Sequence, residues 1–526
     1  MTSTAAGPPI SKKEVLAWID DACDALRESA WAPALNASEL GTFDLGAALQ
    51  APLLTALLGL FDTTCEPRAQ RPLWKRVLVS SKDPSYSRWR FFILEQAARF
   101  LTERPGSTSV LFWPTQPTHP PVQVPVAKVL DEMGVTTRFI TNRPTLFSHL
   151  RERGVRVVCA KYVWSSKIFG ARAEASRKSQ VLASDPDVQL PQLANYERTC
   201  LLSVLRGAIR SNLPRIHEAL ATTDAIARQM EPETLVVGND VTPEGRIACL
   251  RAQRASIPTA CLLHGTVTGW PIHGFHCADK VLVYGRNSER ELVDFGTDPA
   301  KIVVSGAPVL DALPNQSGET NPVLQSRLGL ATGKPWILLA TSGPGSTVSL
   351  SHHQRTIENV MRASAVLPQY AFVAKLHRKD EVEHYHASAR RVPQSRLRVV
   401  QNKAPGLPTD INSWLQGCPL VLTGASAVAV DAMMLGVPVI TMDFLGELQE
   451  VDFIQAGATH HVESPEALNE AILSILENSP EAEAVKSRVD TYLKNTFCAR
   501  DGDSSQRAAN AIQALLRTAE VPHNSC

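Results

Sequence analysis

Residues 420–442 read LVLTGASAVAVDAMMLGVPVITM. An apolar strand ends in Thr423-Gly424-Ala425-Ser426, and a helix of small residues follows. Gly436 stops that helix, and Pro438 opens a second apolar strand. Two strands joined by a helix can pair only in parallel through a crossover. A chain that repeats this unit must build parallel sheets with helices on both faces.

The unit does repeat. VLVS and VLFWP read as strands around the helical FFILEQAARFL. PVAKVLDEMG, TRFIT, LFSHLRERG and VRVVCA continue the alternation, and a mainly helical block follows over about 187–230. The pattern resumes with TLVVGND, EGRIACLRAQRA, PTACLLHG, KVLVYG, NSERELVDFG and KIVVSG. A polar, turn-rich stretch, ALPNQSGETNPVLQ, then precedes a second series from WILLATS to PVITM and two closing helices. The chain therefore reads as α/β, with two Rossmann-like parallel-sheet domains facing a cleft and a helical N-terminal extension. The boundaries are 1–70 for the extension, 71–318 for the first domain with its helical insertion, 319–518 for the second, and 519–526 for a tail.

Composition narrows the function. The 53 basic and 52 acidic residues leave a net charge of +1, which gives no electrostatic footprint for nucleic acid. The N-terminus lacks a secretory pattern. The longest apolar segment, near Ala47–Phe61, is too short to span a bilayer. Ten cysteines without a C-x-x-C pair, several inside strand-like runs, suit a reducing compartment. A cytoplasmic protein is expected, with the first 70 residues able to dock on a membrane surface or partner, or to pack on the domain.

Candidate ligands cluster at expected strand ends, where open α/β sheets bind. The helix start at Ser426 suits a phosphate through its free N–H groups and dipole. Asp431, about a turn and a half further, can take ribose hydroxyls. Ser342 and Gly343, in the turn after WILLAT, let backbone approach a diphosphate, although no P-loop lysine follows. Lys375 and His377 in FVAKLH lie two apart, on one side of an extended strand. Together they can stabilise charge on a leaving diphosphate. In the first half His264 ends a strand before Gly265 and can act as a base near neutral pH. Asp240, ending TLVVGND, competes for that role or caps the next helix. The histidine pairs His352-His353, His384-x-His386, His460-His461 and His273-x-x-His276 lack a carboxylate or cysteine at ligand spacing and read as surface or turn residues; no metal is expected. Arg88-Trp89-Arg90 can hold an acceptor or simply begin an amphipathic helix.

The pattern S-x-x-x-x-[DE]-A-x-x-x-G-x-P-V-I from Ser426 resembles the donor-nucleotide segment of GT-B glycosyltransferases, with aspartate where many members have glutamate. Pro258–Asp311, with its His-Gly strand end, ADK strand and KI-x-V-x-G-x-P-x-x-D close, resembles bacterial surface-polysaccharide and CDP-glycerol glycerophosphotransferase-like transferases. The two segments cover about 235–445. The resemblance implies that the donor phosphates lie at Thr423 and Ser426, the ribose at Asp431, and Lys375-x-His377 near the donor. It implies a metal-independent transferase whose substrate is a nucleotide-activated sugar or CDP-polyol, with a glycan or lipid-linked acceptor and no separate cofactor. Peripheral contact with a membrane or polysaccharide assembly goes with that reading. The alternatives are a nucleotide-sugar epimerase of UDP-GlcNAc 2-epimerase type and a non-catalytic scaffold of the same fold.

Overall fold

The structure, a computed structural model, describes residues 37–38, 41–42, 108–141, 143–160, 195–267, 271–311, 322–331, 334–340, 343–344, 348–377, 380–402, 404–448, 451–498 and 501–519. The expected helical extension, the VLVS strand and Arg88-Trp89-Arg90 lie outside these residues. The exception is a two-residue antiparallel pair, Ala37–Ser38 with Gly41–Thr42.

The chain divides into two compact units after Asp311, and Thr496 onward belongs to the first. The first unit carries seven strands: β1 (Val110–Trp113), β2 (Thr137–Thr141), β3 (Val157–Cys159), β4 (Thr234–Val237), β5 (Thr259–Leu262), β6 (Lys280–Val283) and β7 (Ile302–Val304). Their order is β3-β2-β1-β4-β5-β6-β7, every pair parallel. β1 explains the double-sided core. Leu111 and Trp113 join the cluster of helices Asn195–Gln229 and Pro243–Arg254, while Val110 and Phe112 join that of Pro120–Glu132 and Ser504–Ala519. Alternate residues point to opposite faces, so a sheet covered on both must be apolar throughout.

The helix Ser504–Ala519 corrects the sequence-based boundary, which placed it in the second domain. Ala508, Ala509, Ile512, Leu515 and Leu516 form its apolar stripe, which packs with Val122, Val126 and Leu130 of the first unit. Its first turn is fixed by Asp311, whose carboxylate accepts from the N–H groups of Ser504 and Ser505 at 3.1 and 2.6 Å. A negative charge at a helix start is favourable there. Sequence periodicity shows that a helix has an apolar face but not which sheet receives it.

The second unit contains β8 (Trp336–Ala340), β9 (Ala371–Lys375), β10 (Arg398–Val400), β11 (Leu420–Thr423), β12 (Val439–Met442) and β13 (His460–Val462). They are ordered β10-β9-β8-β11-β12-β13 and are all parallel. Both units thus run outward from their first strand in both directions, the Rossmann order, with switch points between β1 and β4 and between β8 and β11. The helix Ala427–Met434 is capped by Ser426 and released at Gly436, whose φ of +73° suits glycine. Among the described residues, no helix is long and apolar enough to cross a membrane.

Candidate functional site

In the first unit, the residues following β1, β4 and β5 bring four histidines and a carboxylate together at the carboxyl end of the sheet. His264 follows β5, and its Nδ1 lies 3.0 Å from the Gly238 carbonyl after β4. A carbonyl only accepts, so Nδ1 carries the proton and the neutral ring keeps its lone pair on Nε2. Burial lowers its pKa, opposed by that same hydrogen bond. His119, just before the helix Pro120–Glu132, stacks at a tilt against His264 with ring centroids 4.6 Å apart.

His119 has the opposite tautomer. Thr115 N–H donates to its Nδ1 at 3.2 Å, which puts the proton on Nε2. That Nε2 is buried and has no hydrogen-bond partner among the described residues. Burial first, then the charges of His264 and Arg143, push its pKa down to about 3. The pair therefore presents one N–H donor and one lone pair, both rings neutral near pH 7. Gly238 makes this packing possible, because a Cβ there would fall 2.2 Å from His119 Nδ1.

The sequence offered no reason to single out His119. The signal was present in its place: it directly precedes Pro120-Pro121, which open a helix after an apolar strand. A residue at that point is delivered to the sheet's carboxyl end.

Asp240 proves to be an internal anchor. It is fully buried and accepts from His276 Nδ1, from Cys277 N–H at 2.7 Å and from Ala278 N–H at 2.8 Å. Burial alone would raise its pKa, but His276 and the two backbone donors outweigh it and hold the carboxyl below the usual range. A carboxylate so engaged orients the 276–278 loop and the His276 ring, and does not face a substrate as the sequence reading allowed. His273 stacks beside His276 with centroids 5.7 Å apart, its pKa lowered to about 4, mainly by burial. Cys261 is buried beside Asp240 and His276, one ligand atom of each lying within 4.8 Å of the others.

The second unit gathers its candidates at the carboxyl ends of β8, β9 and β11. Ser426 Oγ accepts from Val428 N–H at 3.4 Å, and Gly424 leaves the approach to this helix start bare. Asp431 is partly buried on the same helix, and desolvation raises its pKa to about 6. Thr423 differs from expectation: it is buried and donates to the Ala340 carbonyl at 2.6 Å, tying β11 to β8 across the switch point. Lys375 ends β9 with its Nζ 3.3 Å from Asn402 Oδ1 and 5.9 Å from the Trp414 ring centroid. Burial lowers its pKa, and Asp410 opposes that shift. His377 lies beyond the end of β9, so the two-residue alternation expected for an extended strand does not carry through it. Gly343 adopts φ +72° in the turn after β8, while Ser342 lies outside the described residues.

The tertiary structure also corrects the reading of the histidine pairs. His352 and His353 are buried, each 2% exposed. His352 Nε2 lies 3.1 Å from the Met442 carbonyl, and His353 Nε2 lies 2.9 Å from Asp380 Oδ1. His384 comes to the same carboxylate, with Nδ1 at 3.5 Å. The carboxylate missing at sequence spacing is supplied by a different loop.

Two all-parallel sheets in Rossmann order, each gathering polar residues at its strand ends, define a GT-B-like α/β protein. The UDP-N-acetylglucosamine 2-epimerase family model matches residues 215–513, more than half of the chain, and the chain belongs to that family. Among solved structures, UDP-GlcNAc 2-epimerase from Neisseria meningitidis bound to UDP-GlcNAc is similar at 13% identity and TM-score 0.50, covering 77% of this chain and 99% of that one. UDP-GlcNAc 2-epimerase from Methanocaldococcus jannaschii gives 13% identity, TM-score 0.46 and the same coverage. Anabaena Alr3699/HepE in complex with UDP-glucose gives 12% identity, TM-score 0.45, and 77% and 99% coverage. No curated protein matches by sequence.

Proposed function

We propose that the protein binds a UDP-sugar and inverts its C2 centre, as a nucleotide-sugar epimerase of UDP-GlcNAc 2-epimerase type. The observation carrying this reading is the family match across 215–513, which takes in β4 to β13 and therefore His264, Asp431 and the Ser426 helix start. The helix start and the Gly343 turn receive the diphosphate through backbone N–H groups, Lys375 adds positive charge, and Asp431 takes the ribose. Inversion at C2 breaks and remakes a C–H bond, so it needs a proton acceptor and a proton donor. The neutral His264 Nε2 and the His119 Nε2–H offer one of each.

Sugar transfer to an acceptor hydroxyl is the second reading, favoured by the His264-Gly265 strand end and the 258–311 segment that resemble surface-polysaccharide transferases. It needs only the base. One experiment separates the two: incubation of the full chain with UDP-GlcNAc in D2O, without acceptor, followed by proton NMR. Deuterium at C2 and a UDP-ManNAc product support epimerisation. Recovery of undeuterated UDP-GlcNAc, with transfer appearing only when a glycan acceptor is added, replaces it by the second reading.

A further inference from the structure

We propose that His353, Asp380 and His384 form a site for one divalent transition-metal ion, zinc being the best match to the donor set. The three come from separate elements of the second unit. His353 lies on the helix Leu350–Val366, Asp380 in the loop after β9, and His384 on the helix Val382–Arg391. One ligand atom from each lies within 4.8 Å of the others.

The distances fit an ion better than a hydrogen-bonded hub. Ligand bonds of about 2.0–2.1 Å at tetrahedral angles set neighbouring donor atoms about 3.3 Å apart. His353 Nε2 and His384 Nδ1 stand 2.9 and 3.5 Å from Asp380 Oδ1, one on each side of that value. Without an ion the same oxygen also faces the Glu381 N–H at 3.0 Å, and His384 Nδ1 is buried with no hydrogen bond. Tyr385 O–H donates to Asp380 Oδ2 at 2.9 Å, the outer support that commonly orients a ligating carboxylate. Two imidazoles and one carboxylate leave a fourth position open, as in exchangeable zinc sites. The His384 side chain is 18% exposed, against 2% and 0% for His353 and Asp380, so an ion has a way in from its side.

The site also touches the turn after β8: a Cβ on Gly343 would lie 3.3 Å from the Asp380 backbone. An ion that fixes Asp380 therefore also fixes the wall against which that turn packs. The test needs no nucleotide, so its outcome is independent of the proposed epimerase reading.

The full chain is stripped with a chelator, and Co2+ and Zn2+ uptake are followed by absorbance and calorimetry. The wild type should take up one ion with a tetrahedral Co2+ spectrum lacking thiolate charge transfer. His384→Ala, at the most exposed ligand, should raise the dissociation constant by more than ~10-fold while the circular dichroism stays unchanged. His386→Ala, exposed on the same helix, should bind as wild type does. Equal uptake by wild type and His384→Ala overturns the proposal. So does an absence of uptake, or an ion whose spectrum shows thiolate bands and is lost in Cys261→Ser.

Discussion

The rings of His119 and His264 meet with centroids 4.6 Å apart, one delivered by the turn after β1 and the other by the end of β5. Only glycine at 238 leaves room for this contact, since a methyl would fall 2.2–2.3 Å from His119 Nδ1 and Cγ. Gly238→Ala should therefore destabilise the protein by about 1–3 kcal/mol, the usual cost of overpacking. On a His119→Ala background the same change should cost clearly less. Thermal unfolding of the four members of this double-mutant cycle measures the coupling.

The depressed pKa values of His119, about 3, and His273, about 4, make stability depend on pH. The unfolded chain takes up these protons below about 6.5, whereas the folded chain resists. The unfolded state therefore binds more protons, and this contribution is complete above pH 6.5 and lost as pH falls toward 4 and 3. Tm measured from pH 7.5 to 4.5 should drop across that window. His119→Gln should flatten the fall; an unchanged slope would show that His119 is charged in the folded protein.

Asp240 and His264 should separate in opposite ways. Asp240→Asn leaves one oxygen where three donors converge, and should cost about 2–4 kcal/mol of stability. His264→Ala removes a half-buried ring and should cost little stability while lowering turnover about 10²–10⁴-fold. Denaturant unfolding and UDP-sugar turnover on both variants check this. A stable Asp240→Asn with abolished turnover would return Asp240 to direct chemistry.

The folded Asp431 binds its proton up to about pH 6, against 3.8 for the ordinary carboxyl. The folded state holds more protons between these values, so this group lowers stability as pH rises through that window. Asp431→Asn should raise stability at pH 7.5 by roughly 1–3 kcal/mol. If the ionised carboxylate accepts from ribose hydroxyls, wild-type affinity for UDP should rise from pH 5 to 7, and the variant should bind weakly at both. Calorimetric titration with UDP reads both effects.

The sequence by itself determined the two α/β halves, because a doubly covered parallel sheet requires strands apolar on both faces, as in Val110–Trp113 and Leu420–Thr423. It also placed Gly424, Ser426 and Asp431 together, since a strand end, cap and helix turn are local and their spacing is written in the chain. Only the tertiary structure decided what crosses between elements. Asp240 is an anchor because a loop 36 residues later turns His276 onto it. His353 and Asp380 meet across 27 residues, too far apart for any spacing rule. The helix Ser504–Ala519 returns to the first sheet because its alanine and leucine stripe fits Pro120–Glu132 and its N-terminus meets Asp311. Helical or strand periodicity reports which face of an element is apolar. The partner of that face is fixed by shape and by the pairing of buried polar groups, which appear only once the elements are packed.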